Sequence, residues 1–177
     1  ESGLFNDGKN SSHKSLHGNM FPLAFGLVAE DDRERIVNFI RSRGMACSVY
    51  GAQYLLEALY NAGADDYALE LLTSRSERSW YNMIRSGSTI SLEAWDDRFK
   101  PNQDWNHAWG AVPANIIVRK LMGVEPAEPG FARIRIRPQP GTLREAYLKL
   151  PTIRGDVEMS FINSPDAFSM DICIPAN

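Results

Sequence analysis

Residues 121–137 read Leu121-Met122-Gly123-Val124-Glu125-Pro126-Ala127-Glu128-Pro129-Gly130-Phe131-Ala132-Arg133-Ile134-Arg135-Ile136-Arg137. Two periodicities meet in this stretch. Gly123 ends a helix and Pro126 prevents its resumption. From Phe131 onward, apolar and basic residues alternate, and a period of two means one buried and one wet strand face. The organisation of the chain therefore changes near residue 125. The expected fold is mainly α with a C-terminal antiparallel β part, divided as 1–124 and 125–177.

Upstream of the change, the pattern is helical. Leu16, Met20, Leu23 and Leu27 recur at the three-to-four spacing of one helix face, and Ser11 or Ser12 can cap that helix. Asp31 with Glu34 fits a capping box that opens a helix carrying Ile36, Val37, Phe39 and Ile40 and stopping at Gly44. Tyr50, Tyr54, Leu55, Ala58 and Leu59 mark a third helix ending near Gly63. Asp65 opens a fourth with Ala68, Leu71 and Leu72, and a short fifth covers Trp80–Arg85. A last long helix is expected from Asn106, its cap, to Met122. Short loops between these helices imply antiparallel neighbours, hence a series of helical hairpins. Downstream, Pro138-Gln139-Pro140-Gly141 is a strong turn. Residues 144–150, 153–162 and 167–174 are further strand candidates, giving an antiparallel sheet of about four strands.

Residues 87–109 carry the chemistry. Glu93 sits among Trp95, Trp105 and Trp109, with Asp96, Asp97, Asp104, Asn102, Asn106 and His107 around it. Aromatic faces cover the C–H face of a pyranose, amides and carboxylates take its hydroxyls, and a carboxylate beside a sugar activates water. Trp and Asp also occur together in buried loops, where Glu93 would pair with Arg98 or Arg85 or cap a helix. Long connections without regular structure are often functional, so both readings stand. Trp95 is the candidate stacking wall. Trp105 and Trp109, four apart, would share a helical face, one lining the pocket and the other the core. Asp96 and Asp97 bind hydroxyls, support Arg98 or face solvent.

The segment resembles the C-terminal part of the bacterial α-L-rhamnosidases, an inverting glycoside hydrolase family with an (α/α)6 barrel. The resemblance runs through Asp7-Gly8, Gly87-Ser88-Thr89, Glu93-Ala94-Trp95 and Trp105-Asn106-His107-Ala108-Trp109-Gly110. It continues in Pro129-Gly130-Phe131, Ile136-Arg137-Pro138 and Pro151-Thr152-Ile153-Arg154-Gly155. It implies that the chain holds the last helical hairpins of the barrel, followed by an antiparallel sheet or sandwich segment. It further implies that Glu93 is the general base and that His107 contacts the sugar; Trp95 and Trp105 are the aromatic candidates for the substrate site that the residues themselves offer. The family's aromatic residue before the base is Leu92 here, which alters the pocket wall. The family's general acid lies in an upstream motif that Glu1 and Asp7 do not match. The substrate implied is a rhamnose-containing glycan or glycoside, and the partner implied is the N-terminal remainder of a longer parent. The start at Glu1 without Met agrees with that expectation. An incomplete barrel would expose apolar surface and favour self-association.

Other readings stand beside this one. A different (α/α)-barrel glycosidase or a polysaccharide lyase would share the hairpins, although a lyase wants cationic surroundings and this segment is acidic. A non-catalytic sugar-binding module would tolerate Glu93→Gln. The formal charge of −3 on 177 residues gives no nucleic-acid footprint. No apolar run approaches the roughly 20 residues that span a membrane. Cys47 and Cys173 are far apart and read as free thiols. His13 and His17 have an i, i+4 spacing able to hold a metal, but no third ligand is evident, so no metal and no cofactor are assigned. One of the two would face the barrel interior and the other solvent. The sequence assigns no compartment.

Overall fold

The computed structural model describes residues 3–176. The chain forms two compact units that divide after Pro113. In the first, helices α1 (Leu16–Ala24), α2 (Glu30–Arg43), α3 (Gly51–Asn61), α4 (Asp65–Leu72) and α5 (Trp80–Arg85) follow one another. α1 packs against α2 and α3, and α3 against α4. Met20, Ile36, Ile40, Leu55, Leu56 and Leu59 are fully enclosed among them. Burying each such side chain is worth about 1.5–3 kcal/mol, so this apolar face, rather than intrinsic propensity, holds the layer together.

The helix ends depart from the sequence reading in instructive ways. α1 is capped by Ser15, whose Oγ accepts from Gly18 N–H at 2.9 Å, and not by Ser11 or Ser12. It ends at Ala24, so Leu27 leaves the helix face and is 73% exposed. No capping box opens α2. Ala29 precedes it without a side-chain cap, and Glu30, Asp31 and Asp32 instead place negative charge at the helix dipole's positive end. Gly44 ends α2 at φ 58°, as the sequence predicts.

The last helix is not one helix from Asn106. A 3-10 turn over Ala108–Ala111 leads into α6 (Val112–Ile116), which widens into a π-helical turn at Ile117–Leu121. His107, not Asn106, caps it: its Nδ1 accepts from Trp109 N–H at 3.2 Å. Trp105 lies outside the helix, so it shares no helical face with Trp109.

The second unit holds two sheets rather than a single four-stranded one. β1 (Val124–Pro126) pairs antiparallel with β2 (Ile134–Ile136). A 3-10 turn at Pro129–Phe131 separates them, so the alternating run contributes only its centre as strand. Gly123, at φ 73°, lets the chain leave the helix: a Cβ there would meet the Arg137 carbonyl oxygen at 2.0 Å. Glu125 is buried and accepts from Arg119 at 3.0 Å and from Arg135, with Lys120 at 3.3 Å. Burial pushes its carboxyl up, but these cations together hold it below the ordinary glutamate range.

β3 (Glu145–Thr152), β4 (Gly155–Asn163) and β5 (Phe168–Cys173) form the second sheet in that order, all antiparallel. Pro151 sits inside β3 instead of ending it, on a strand with only one neighbour. The register sets Leu148, Met159 and Ile172 side by side, and likewise Ala146, Phe161 and Met170, so one face is apolar. On the other face, Lys149 bridges Asp156 and Glu158 at 2.9 Å each. Cys47 and Cys173 are both free thiols.

Candidate active site

The connection between α5 and the 3-10 turn folds back on itself. His107 N–H donates to Ser91 O at 2.9 Å and Ser91 Oγ to His107 O at 2.8 Å. Glu93 N–H donates to Asp104 O at 3.1 Å, and Ala94 N–H to the Gln103 side chain at 2.9 Å. Two arms, residues 91–94 and 103–107, are thus laced together. Gly110 lets the following turn lie against them: a Cβ there would meet the Leu92 carbonyl oxygen at 2.3 Å. Trp80 Nε1 donates to Gly110 O at 2.8 Å and anchors the turn to α5.

The loop's acidic residues do different jobs. Asp96 is buried and accepts from the Arg98 guanidinium, from Arg98 N–H at 2.8 Å and from Asn82 Nδ2 at 2.7 Å. Arg98, then Asn82, hold its carboxyl down to about 2 against the opposing effect of burial. Arg98 also reaches Glu77 at 2.7 Å. Asp97 accepts from Gln103 at 2.8 Å and from Trp105 Nε1 at 3.3 Å. Of the three roles open to these two residues, support for Arg98 fits Asp96. Asp97 fastens the loop.

Glu93 is paired with neither Arg98 nor Arg85. Its Oε1 accepts from the Lys100 ammonium and its Oε2 from Asp104 N–H at 3.1 Å. Lys100, then the Asp104 N–H, with a smaller contribution from His107, hold the Glu93 carboxyl below the ordinary glutamate range. The side chain retains 15% of its accessibility and lines a cleft of ≈ 530 Å³ in the first unit. A carboxylate has about four lone-pair positions, so two donors leave room for a water.

The other walls of this cleft include Tyr50, Trp109, Arg78, Phe99, His17 and Trp95. Trp95 does not offer the open face a stacking wall requires. It is 2% exposed, its Nε1 donates to Cys47 O at 2.8 Å, and its ring meets Trp80 edge-on at 5.2 Å. Accessible aromatic surface is offered instead by Trp109, 51% exposed, and Tyr50, 49% exposed; the Trp109 ring lies 5.1 Å from Tyr50 and 4.6 Å from His107. Neither Trp105 nor His107 lines the cleft itself; His107 stands behind the Trp109 ring. With Nδ1 of His107 accepting from Trp109, the neutral ring carries its proton on Nε2, which is free to donate.

Lys100, Arg78, Tyr50 and Phe99 carry no signal of a site in the sequence, because only the fold gathers them around one cleft. The Arg78 guanidinium stands over the Phe99 ring, 5.1 Å from its centre, close enough for a cation–π attraction. His17 lines the cleft, whereas His13 is bound to Asp7 at the surface. His13, then Ser15, hold the Asp7 carboxyl down to about 2. Among the described residues, no group of three or more His, Cys, Asp or Glu is placed to hold a metal, and no helix is long and apolar enough to cross a membrane. Burial pushes the Cys47 thiol up to about 12, which leaves it protonated and a poor nucleophile. A second hollow of ≈ 670 Å³, between Pro126 and Ile153, has Glu128 as its only ionisable wall residue.

The sequence profile of the bacterial alpha-L-rhamnosidase 6 hairpin glycosidase domain matches residues 2–121, and that of the bacterial alpha-L-rhamnosidase C-terminal domain matches residues 123–177. The chain belongs to the bacterial alpha-L-rhamnosidase family. An alpha-L-rhamnosidase of Alteromonas sp. (strain LOR) is 27% identical over 173 residues, covering 89% of this chain and 19% of that protein. One from Streptomyces avermitilis is 27% identical over 175 residues, covering 92% and 16%. The crystal structure of Streptomyces avermitilis alpha-L-rhamnosidase complexed with L-rhamnose superposes with a TM-score of 0.78 at 22% identity, over 96% of this chain and 18% of that one. The chain thus spans less than a fifth of the length of these rhamnosidases. Its fold is that of the C-terminal hairpins and β domain of the rhamnosidase architecture.

Proposed function

We propose that this chain is the base-bearing part of an α-L-rhamnosidase that releases terminal α-L-rhamnose with inversion. Residues 1–124 would belong to the catalytic barrel and 125–177 to the β domain that follows it. Glu93 takes a proton from a water, and the water oxygen attacks the anomeric carbon. The bond to the leaving oxygen breaks on the opposite face, and a protonated carboxyl gives that oxygen its proton. The two carboxyls of an inverting pair stand roughly 6.5–9.5 Å apart. The acid is assigned to the parent enzyme outside this chain. His107 donates from Nε2 to a sugar hydroxyl, and Trp109 with Tyr50 covers the apolar sugar face. Trp95 backs the cleft from behind, and Trp105 serves the loop rather than the sugar.

The observation that carries this reading is that Glu93 is the one carboxylate in the cleft wall among the described residues, ionised and with lone pairs left over. The test is Glu93→Gln in the intact parent, assayed on an aryl α-L-rhamnoside. A loss of about a hundred- to ten-thousandfold in kcat is expected, with rhamnose binding retained. The first sugar released should be the β anomer by proton NMR. Retained activity, or release of the α anomer first, would remove Glu93 from this role.

A further inference from the structure

The Glu93 carboxylate is held at both oxygens, and one of its two holders is a charged side chain from across the loop. Lys100 reaches Oε1 and Asp104 N–H reaches Oε2. Lys100 is itself fixed. Its N–H donates to Asp96 O at 3.3 Å, and its carbonyl accepts from Gln103 N–H at 3.1 Å. Asp96 in turn is clamped by Arg98 and by Asn82 of α5, and Gln103 holds both Ala94 and Asp97. The ammonium therefore stands on a platform tied to a helix. Lys100 lines the same cleft as Glu93 and keeps 40% of its side-chain accessibility.

We propose that Lys100 is a positioning residue for the reaction, aiming the Glu93 carboxylate at its water. This rests on Glu93 being the general base. A carboxylate free to rotate presents its lone pairs to the water only part of the time, and a misplacement of about 1 Å can cost a hundredfold in rate. With Oε1 and Oε2 each engaged on one side, the remaining lone pairs keep one direction. The same ammonium makes Glu93 a weaker base, so what Lys100 contributes is the fixed direction of the carboxylate. The titratable and charged groups facing the cleft are Glu93, Lys100, His17, Cys47, Tyr50 and Arg78, with His107 close by on the next turn. Lys100 alone among them contacts the Glu93 carboxylate directly.

The experiment compares Lys100→Met, Lys100→Gln and Lys100→Arg with Glu93→Gln in the intact parent enzyme. In Lys100→Met, the acidic limb of kcat/KM is expected to move up by about 1–3 pH units, because the opposite charge that favoured the anion is gone. Above that limb, kcat should fall about ten- to hundredfold with KM changed less than about threefold. Lys100→Gln keeps a donor without charge, so the limb should move as far while kcat recovers in part. Lys100→Arg should restore the limb. An acidic limb unmoved in both neutral variants, or a loss confined to KM, would overturn the proposal while Glu93→Gln remained inactive. An active Glu93→Gln would instead overturn the base assignment beneath it. Should Lys100→Met not fold, Lys100→Gln decides the same question.

Discussion

Asp96 shows how much of the cleft depends on one carboxylate assigned no contact with the sugar. It gathers Arg98 and the buried Asn82 amide into a knot that fixes where Lys100 and Trp95 sit. Asp96→Ala would leave that amide short of an acceptor, at a cost of about 1–3 kcal/mol. The pH dependence follows from the carboxyl's folded pKa of about 2, set first by Arg98. A depressed carboxylate pKa stabilises the fold fully above the unfolded value of about 4, and this support is lost as pH falls toward the folded value. Thermal melts of the two forms are therefore expected to differ most above about pH 5 and to converge toward about pH 2. A gap that stayed constant over that range would mean that the knot contributes nothing through its charge.

At the scale of elements, the decisive contact is between a turn and a loop. Gly110 lies against the Leu92 carbonyl, and this brings the cap residue His107 to the loop arm that bears Glu93. Gly110→Ala is expected to destabilise by about 1–3 kcal/mol through overpacking and to lower the parent's activity by more than the stability loss explains. Unchanged melting and unchanged kcat in that variant would show that the loop yields freely. Some elements are fully legible in the sequence. Trp80–Arg85 and the Gly44 stop can be read there because their signals are local, and the structure adds the Ser79 cap of the former. The last helix cannot, since Pro113 and the π turn at Ile117–Leu121 break a pattern whose apolar spacing looks continuous. Glu93 and His107 stand out as residue types in a suggestive segment. Lys100 does not, because its pairing depends on lacing between residues ten or so apart, which no short spacing rule encodes. Trp95 stands out as an aromatic residue, but its burial follows from Trp80 and the Cys47 carbonyl, both remote in sequence.

For the whole molecule, apolar surface decides behaviour in solution. β5 is an edge strand, and Phe168, Met170 and Ile172 on one of its faces are 44%, 44% and 42% exposed. Such an edge is prone to pairing with another chain. Produced alone, the 177-residue chain is expected to elute from size exclusion with light scattering as species larger than a monomer, and Met170→Lys with Ile172→Lys to shift it toward monomer. A monodisperse monomer of the unaltered chain would count against this. Gly110 bears on the molecule's history as well as its stability. Every single-nucleotide change in a glycine codon that still encodes an amino acid either is silent or adds a Cβ. At Gly110, any Cβ meets a backbone carbonyl that cannot swing aside as a side chain would. Each such replacement therefore carries the overpacking cost unless the Leu92 arm, and with it the seat of Glu93, shifts to make room.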